Sequence, residues 1–163
     1  MRYVIREKFF RLGEDSVITD AAGQAIYEVD GKVFSLHNTL VIRDTARNEV
    51  ARVEKQLISL RPTYHIKVHG QDIAEVRKKL FSPFIDRFTI DIPGPDDLSV
   101  RGSLLEHEYT VRRGNQVVAT VSKAWISLTD TYGVDIAPGE NDLLILTSIL
   151  ALDLAEDQEH DHH

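Results

Sequence analysis

The sequence predicts a mainly β protein: a closed antiparallel barrel of about twelve strands around a central, buried, hydrophobic C-terminal helix. Three observations carry this prediction. Apolar and polar residues alternate with period two along most of the chain, turn residues interrupt the alternation at short intervals, and one segment near the end is apolar on all sides. That segment is NDLLILTSILALDLA, Asn141 to Ala155.

The strands come first in the chain. In YHIKVH, Tyr64, Ile66 and Val68 share one face; RFTIDI does the same with Phe88, Ile90 and Ile92, EYTVRR with Tyr109 and Val111, and TYGVDI with Tyr132, Val134 and Ile136. Alternation of this kind marks an antiparallel strand with one wet face. The turns are DAAG, VDGK, DTARNE, HGQD, IPGPDD and RRGNQ, rich in the residues that accept turn dihedrals.

A quasi-repeat runs through the strands. VARVEK (Val50 to Lys55), IAEVRK (Ile73 to Lys78) and VATVSK (Val118 to Lys123) share the pattern apolar, Ala, any, Val, any, Lys, each just after a polar turn. The unit is a β-hairpin reused in a meander. Ala51, Ala74 and Ala119 share faces with Val53, Val76 and Val121, and small side chains there let a helix approach the wall. Parity puts Lys55, Lys78 and Lys123 on the core side, so each ammonium belongs at the rim, where the stem lies on the core and the charge meets water. Strands that leave their turns in the same sense bring all three to one mouth. Arg77 and Lys79 point the other way and extend the charge onto the outer wall.

The apolar segment is the helix. From Leu143 to Ala155 it is roughly 20 Å long as a helix, whereas a bilayer core needs ~30 Å, so it does not span. Leu143, Leu144, Ile145, Leu146, Ile149, Leu150, Leu152 and Leu154 occupy every direction around the axis, and a helix apolar all round is buried. Pro138 and Gly139 break the preceding strand, Asn141 or Asp142 caps the start, and the helix is expected over 142–153. Asp153, at the negative end of the dipole, needs a partner if buried; Arg, Lys or backbone donors are the expected ones. The domain is expected over 1–155, followed by a disordered acidic and histidine-rich tail, 156–163.

The chain has 163 residues, 42% of them hydrophobic, enough for one domain with a real core. A net charge of −7 opposes non-specific nucleic-acid binding, which needs a basic face. Absence of cysteine excludes disulfides and thiolate metal sites. The start, MRYVIREKFF, breaks its apolar residues with Arg2, Arg6, Glu7 and Lys8, unlike a signal peptide, so a cytoplasmic location is expected.

The segments RYVIREKFF, YEVDGKVFSL, VARVEKQLISL, VATVSKAWISL and DTYGVDI, followed by the apolar helix with its aspartate, resemble a LURP-one-related protein of the tubby-like superfamily, in this order and from Arg2 to about Leu154. The resemblance implies a barrel of about twelve strands around a central C-terminal helix, in agreement with the residue patterns. It also implies kinship with phospholipid scramblases and with tubby proteins, whose related domain binds phosphoinositides.

No catalytic motif is present. His65, Lys67 and His69 share a strand face, but residues four apart on a strand are ~13 Å apart, too far for one metal ion. Glu106 and Glu108 flank His107 and face opposite to it, so the triplet makes no dyad. His160, His162, His163 and Asp161 belong to the tail. Gly-rich phosphate loops and nucleophile elbows are absent, and a barrel filled by its own helix lacks a central pocket. The expectation is a non-catalytic binding module without cofactor or metal. Its rim candidates for anionic phospholipid headgroups are Lys55, Lys78, Lys123, Arg77 and Lys79; a protein-interaction scaffold is the alternative, and an enzyme comes third.

Overall fold

The computed structural model describes residues 1–6, 15–31, 38–58, 61–79, 87–92, 97–125 and 131–161, with side chains left out at 57–58, 61–62, 78–79, 87–89 and 157–161. Twelve strands are found: β1 (Arg2–Arg6), β2 (Ser16–Asp20), β3 (Ala25–Asp30), β4 (Thr39–Asp44), β5 (Glu49–Ile58), β6 (Arg61–Val68), β7 (Gln71–Lys79), β8 (Arg87–Asp91), β9 (Leu98–Ser103), β10 (Glu108–Arg113), β11 (Gln116–Ser122) and β12 (Thr131–Ile136). Each pairs antiparallel with its sequence neighbours, and β12 closes on β1 with Arg2 opposite Asp135 and Arg6 opposite Thr131. Closure leaves no free edge among these strands. Among the described residues the helix α1 (Asp142–Asp161) follows β12.

The quasi-repeat has a geometric cause. In β5, β7 and β11 its first apolar residue is an extra one in the pairing: Ile42 faces Ala51 while Arg43 faces Glu49, Ile66 faces Ala74 while Lys67 faces Asp72, and Val111 faces Ala119 while Arg112 faces Val117. Val50, Ile73 and Val118 are therefore bulges. A bulge breaks the alternation, so two successive residues fall on the same side. Val50 with Ala51, and Val118 with Ala119, are accordingly all buried. β3 is a fourth copy, with Ile26 as the bulge between Tyr27 and Ala25 and with Tyr27 in the alanine's place.

Two of the turns are also built alike. Oδ1 of Asp20 accepts the amides of Ala22 and Gln24, both at 2.9 Å, and Oδ1 of Asp44 accepts those of Ala46 and Asn48 at 3.0 and 2.9 Å. The side chain thus replaces the ladder partners that the turn removes.

The helix occupies the barrel. Leu143, Ile145, Leu146, Ile149, Leu150, Ala151, Leu152 and Leu154 are buried and belong to the same core cluster as Ile5, Ile18, Leu40, Val53, Ile66 and Val134 from the strands. Two of its polar members are satisfied within the helix: Thr147 Oγ1 donates to the Leu143 carbonyl at 2.6 Å and Ser148 Oγ to that of Leu144 at 2.8 Å. Asn141 is the cap, with Oδ1 accepting the Leu144 amide at 3.2 Å and its carbonyl accepting Ile145 N–H at 3.1 Å. Asp142 in the first turn accepts the Tyr3 hydroxyl at 2.7 Å. The helix runs closest to β5, β6 and β7, the wall that carries Ala51 and Ala74. Ala119 stands on β11, away from that closest wall.

The helix is longer than 142–153. It continues through Glu156, which is buried, to Asp161, where the sequence reading places a tail from residue 156. Glu and Gln are good helix formers, and propagation from an already formed helix needs no new nucleus. His162 and His163 lie outside the described residues.

Candidate functional site

Strand direction fixes the geometry of the two ends. Odd-numbered strands all run one way, so the starts of β1, β3, β5, β7, β9 and β11 surround a lower mouth and their ends an upper mouth. The helix starts at the lower mouth, where Tyr3 meets Asp142, and ends at the upper one.

At the upper mouth the helix is tied to the barrel by a buried polar cluster. His107 Nε2 lies 2.9 Å from Asp153 Oδ1, the Tyr132 hydroxyl donates to Asp153 Oδ2, and the His107 and Tyr132 rings stack at 4.3 Å with 18° between their planes. His107 and Asp153 are each 4% exposed. The carboxylate thus has two ring-borne donors, histidine and tyrosine, in place of the Arg, Lys or backbone donors that the sequence suggested. His107 takes a left-handed backbone, φ 53°, in the turn that joins β9 to β10, and this turns its ring inward while Glu106 and Glu108 stay exposed. The flanking glutamates play no part in the cluster. Glu108 instead accepts Ser122 Oγ at 2.8 Å and the Lys123 amide at 3.0 Å.

The predicted rim residues divide. Lys55, on the core side of β5, is half-buried, and burial lowers its pKa from the usual lysine value. Among the described residues no carboxylate pairs with it. Lys78 holds the corresponding position in β7, two residues beyond the inward Val76, and its strand ends at the same mouth; its side chain and that of Lys79 lie outside the described ones. Lys123 departs from the core-side expectation. β11 ends at Ser122, so Lys123 sits in the bend beyond it and is exposed, still at the upper mouth. Arg77 is exposed on the outer wall, as parity requires, but its charge is answered by Glu75 and by Asp91 at 3.7 Å. It adds no net positive field.

Other cations are similarly engaged. Arg52 pairs with Glu49 and Glu54, Lys67 lies 3.6 Å from Glu54, and Arg43 meets Asp30 at 2.9 Å. Arg113 forms a two-pronged pair with Glu140 at 2.8 and 3.0 Å, which holds that carboxyl below its usual pKa. A depression of about 220 Å³ at the lower mouth, lined by Glu49, Ala51, Arg52, Lys67 and Gly70, therefore presents cations that already have carboxylate partners. Among the described residues no group of three His, Asp or Glu side chains is placed to hold a metal ion, and no helix is long and apolar enough to cross a membrane.

The outer wall carries an aromatic cap. Trp125, 38% exposed, lies over Gly133 of β12, and Arg2 stacks on its ring with the guanidinium carbon 4.3 Å from the centroid. A Cβ at Gly133 would stand 2.8 Å from the indole, so the missing side chain makes the seat.

Comparison with known proteins agrees with this architecture. The chain is 32% identical over 154 residues to the uncharacterized protein YxjI of Bacillus subtilis (strain 168), an alignment covering 93% of this chain and 76% of that protein. A protein of Arabidopsis thaliana solved by X-ray crystallography shares the fold, with a TM-score of 0.68 at 20% identity over 93% of this chain and 88% of the other. The family model described as LURP-one-related matches residues 1–153, from the first strand to the aspartate of the buried cluster, and the chain belongs to the LURP-one-related family.

Proposed function

We propose that the chain is a non-catalytic binding module whose upper mouth meets anionic phospholipid headgroups. Lys55 carries the reading. A half-buried ammonium with no carboxylate partner among the described residues is a charge that the fold leaves unanswered, and an incoming phosphate answers it. The end of β7 with Lys78 and the bend after β11 with Lys123 reach the same mouth. Among the described residues the helix and the inward-facing strand side chains form one packed core cluster, which favours the mouth over the interior as the place for a ligand. Resemblance to tubby-like domains, which bind phosphoinositides, points the same way. The expected setting is the cytoplasm, whose membrane leaflet carries the anionic lipids.

Sedimentation with vesicles tests the proposal. Phosphatidylcholine vesicles containing phosphatidylserine or a phosphoinositide should pull the chain down at low salt, pure phosphatidylcholine should not, and added salt should release it. The combined Lys55→Gln, Lys78→Gln and Lys123→Gln variant should lose this binding while keeping its unfolding midpoint. No sedimentation with anionic vesicles at low salt overturns the proposal. A second reading, a protein-docking surface, is favoured by Leu105, which is 59% exposed in the turn between β9 and β10 at the same mouth. Binding that ignores lipid charge and salt but is lost in Leu105→Ser would support it.

A further inference from the structure

On the outer wall, side chains of β9 and β10 form a square. Arg101 stands opposite Thr110 and Ser99 opposite Arg112, so two guanidinium groups occupy one diagonal and two hydroxyls the other. All four point away from the core, because the residues that alternate with them, Leu98, Val100, Tyr109 and Val111, are buried. Diagonal positions on an antiparallel pair lie about 7–8 Å apart, within reach of two arginines. Elsewhere arginines meet carboxylates: Arg43 pairs with Asp30, Arg52 with Glu49 and Glu54, Arg77 with Glu75, and Arg113 with Glu140. Among the described residues no carboxylate pairs with Arg101 or Arg112. Carboxylates on β8, on β10 and just before β9 are committed to other partners: Asp91 to Arg77, Glu108 to Ser122 and the Lys123 amide, and Asp97 to the Ile92 amide. In a chain with 26 acidic residues against 19 basic ones, two adjoining arginines without an acid repel each other and gain no structural compensation.

Hydrogen bonding defines what the square offers. Arg112 Nε donates to Thr110 Oγ1 at 3.0 Å, which orients the guanidinium and leaves its two terminal nitrogens as a fork. Thr110, having accepted that bond, keeps its own O–H to donate. All four side chains can therefore donate to an anion, and two of them are cations. We propose that this square is a binding site for a phosphate dianion, either inorganic phosphate or the phosphate monoester of a lipid headgroup. A dianion matches two guanidinium charges, and its oxygens accept from planar forks and from hydroxyls alike. A carboxylate carries one charge and leaves one arginine unanswered. The site lies on the wall between the two mouths, and it does not rest on the headgroup reading of Lys55, Lys78 and Lys123.

The test has two arms. Sodium phosphate is titrated into the full chain at an ionic strength held constant with sodium chloride, and the Arg112 Nε–H resonance is followed by NMR. In parallel, the chain is sedimented with phosphatidylcholine vesicles containing phosphatidic acid, whose headgroup is a phosphate monoester. Arg101→Gln keeps the reporter and removes one fork, and should weaken phosphate binding about tenfold or more, the worth of a charged hydrogen bond. Arg101→Lys keeps the charge without the fork and should fall between the two. The combined Lys55→Gln, Lys78→Gln and Lys123→Gln variant should keep the response to free phosphate. A saturable shift that Arg101→Gln abolishes upholds the site and shows that soluble phosphate suffices. Vesicle binding that Arg101→Gln weakens, with no shift from free phosphate, upholds it for the lipid-borne group. An equal shift with sodium chloride alone, no response in either arm, or responses unchanged by Arg101→Gln overturn it.

Discussion

Asp153→Ala removes the acceptor shared by His107 and Tyr132, and its cost follows from their burial. Both donors lie in the protein interior, so neither regains water when the carboxylate goes. Loss of a partner for a buried donor costs about 1–3 kcal/mol each, and breaking a buried charged cluster typically totals about 3–5 kcal/mol. For a chain of this size that lowers the thermal midpoint by roughly 6–20 °C. Tyr132→Phe keeps the ring and its stack on His107 but removes the hydroxyl, at about 1.5–3 kcal/mol for a hydrogen bond to a charged group. Asp153→Asn keeps an acceptor for His107 and turns an amide toward Tyr132, whose hydroxyl can rotate to accept, so it should cost less than the alanine. Urea unfolding of the three variants gives the order, and a cycle combining Tyr132→Phe with Asp153→Ala should show coupling of about 0.5–3 kcal/mol. An Asp153→Ala cost below ~1 kcal/mol would refute the reasoning, because it would mean that water already solvates the carboxylate.

Leu146→Ala and Leu150→Ala, at fully enclosed helix positions, should each cost about 2–5 kcal/mol in the same assay. Gly133→Ala should unseat Trp125, the single tryptophan, and shift its fluorescence to longer wavelength, while Lys123→Ala nearby should leave the spectrum unchanged. Tyr3 and Tyr27 have pKa values raised above the usual tyrosine range, chiefly by burial and then by Asp142. Their contribution is complete below about pH 10, the unfolded tyrosine value, and is lost as pH rises toward their folded values. Tyr3→Phe should therefore flatten the alkaline limb of a stability-against-pH curve, and an unchanged limb would count against the Tyr3–Asp142 bond.

The barrel was legible because its physics is periodic. Alternation, turns and an all-apolar helix are local patterns, and the quasi-repeat even marked the bulges, although its meaning as an extra residue in the ladder needed the pairing partners. The fourth copy in β3 escaped because Tyr27 replaces the alanine on which the pattern was defined. The buried cluster was half visible: Asp153 was conspicuous as a charge on an apolar helix, but His107 is 46 residues away and Tyr132 is 21, and each alone looks ordinary. The left-handed turn that aims His107 inward has no glycine at that position to announce it. Parity placed Lys55 correctly and misplaced Lys123 because it assumed that β11 continues past Ser122. Arg77 pointed outward as parity required, yet its neutralisation by Glu75 and Asp91 depends on a neighbouring strand and could not be read from its own.

The central claim is that the helix is the barrel's core. Native-state hydrogen exchange at the amides of Ile145 to Leu152 tests it most directly. An element enclosed by twelve closed strands can open only when the barrel opens, so these amides should exchange with the free energy of global unfolding measured in urea. Exchange of the helix at a distinctly lower free energy than the strands β5, β6 and β7 would show that it leaves a barrel that stands without it, and would contradict the account.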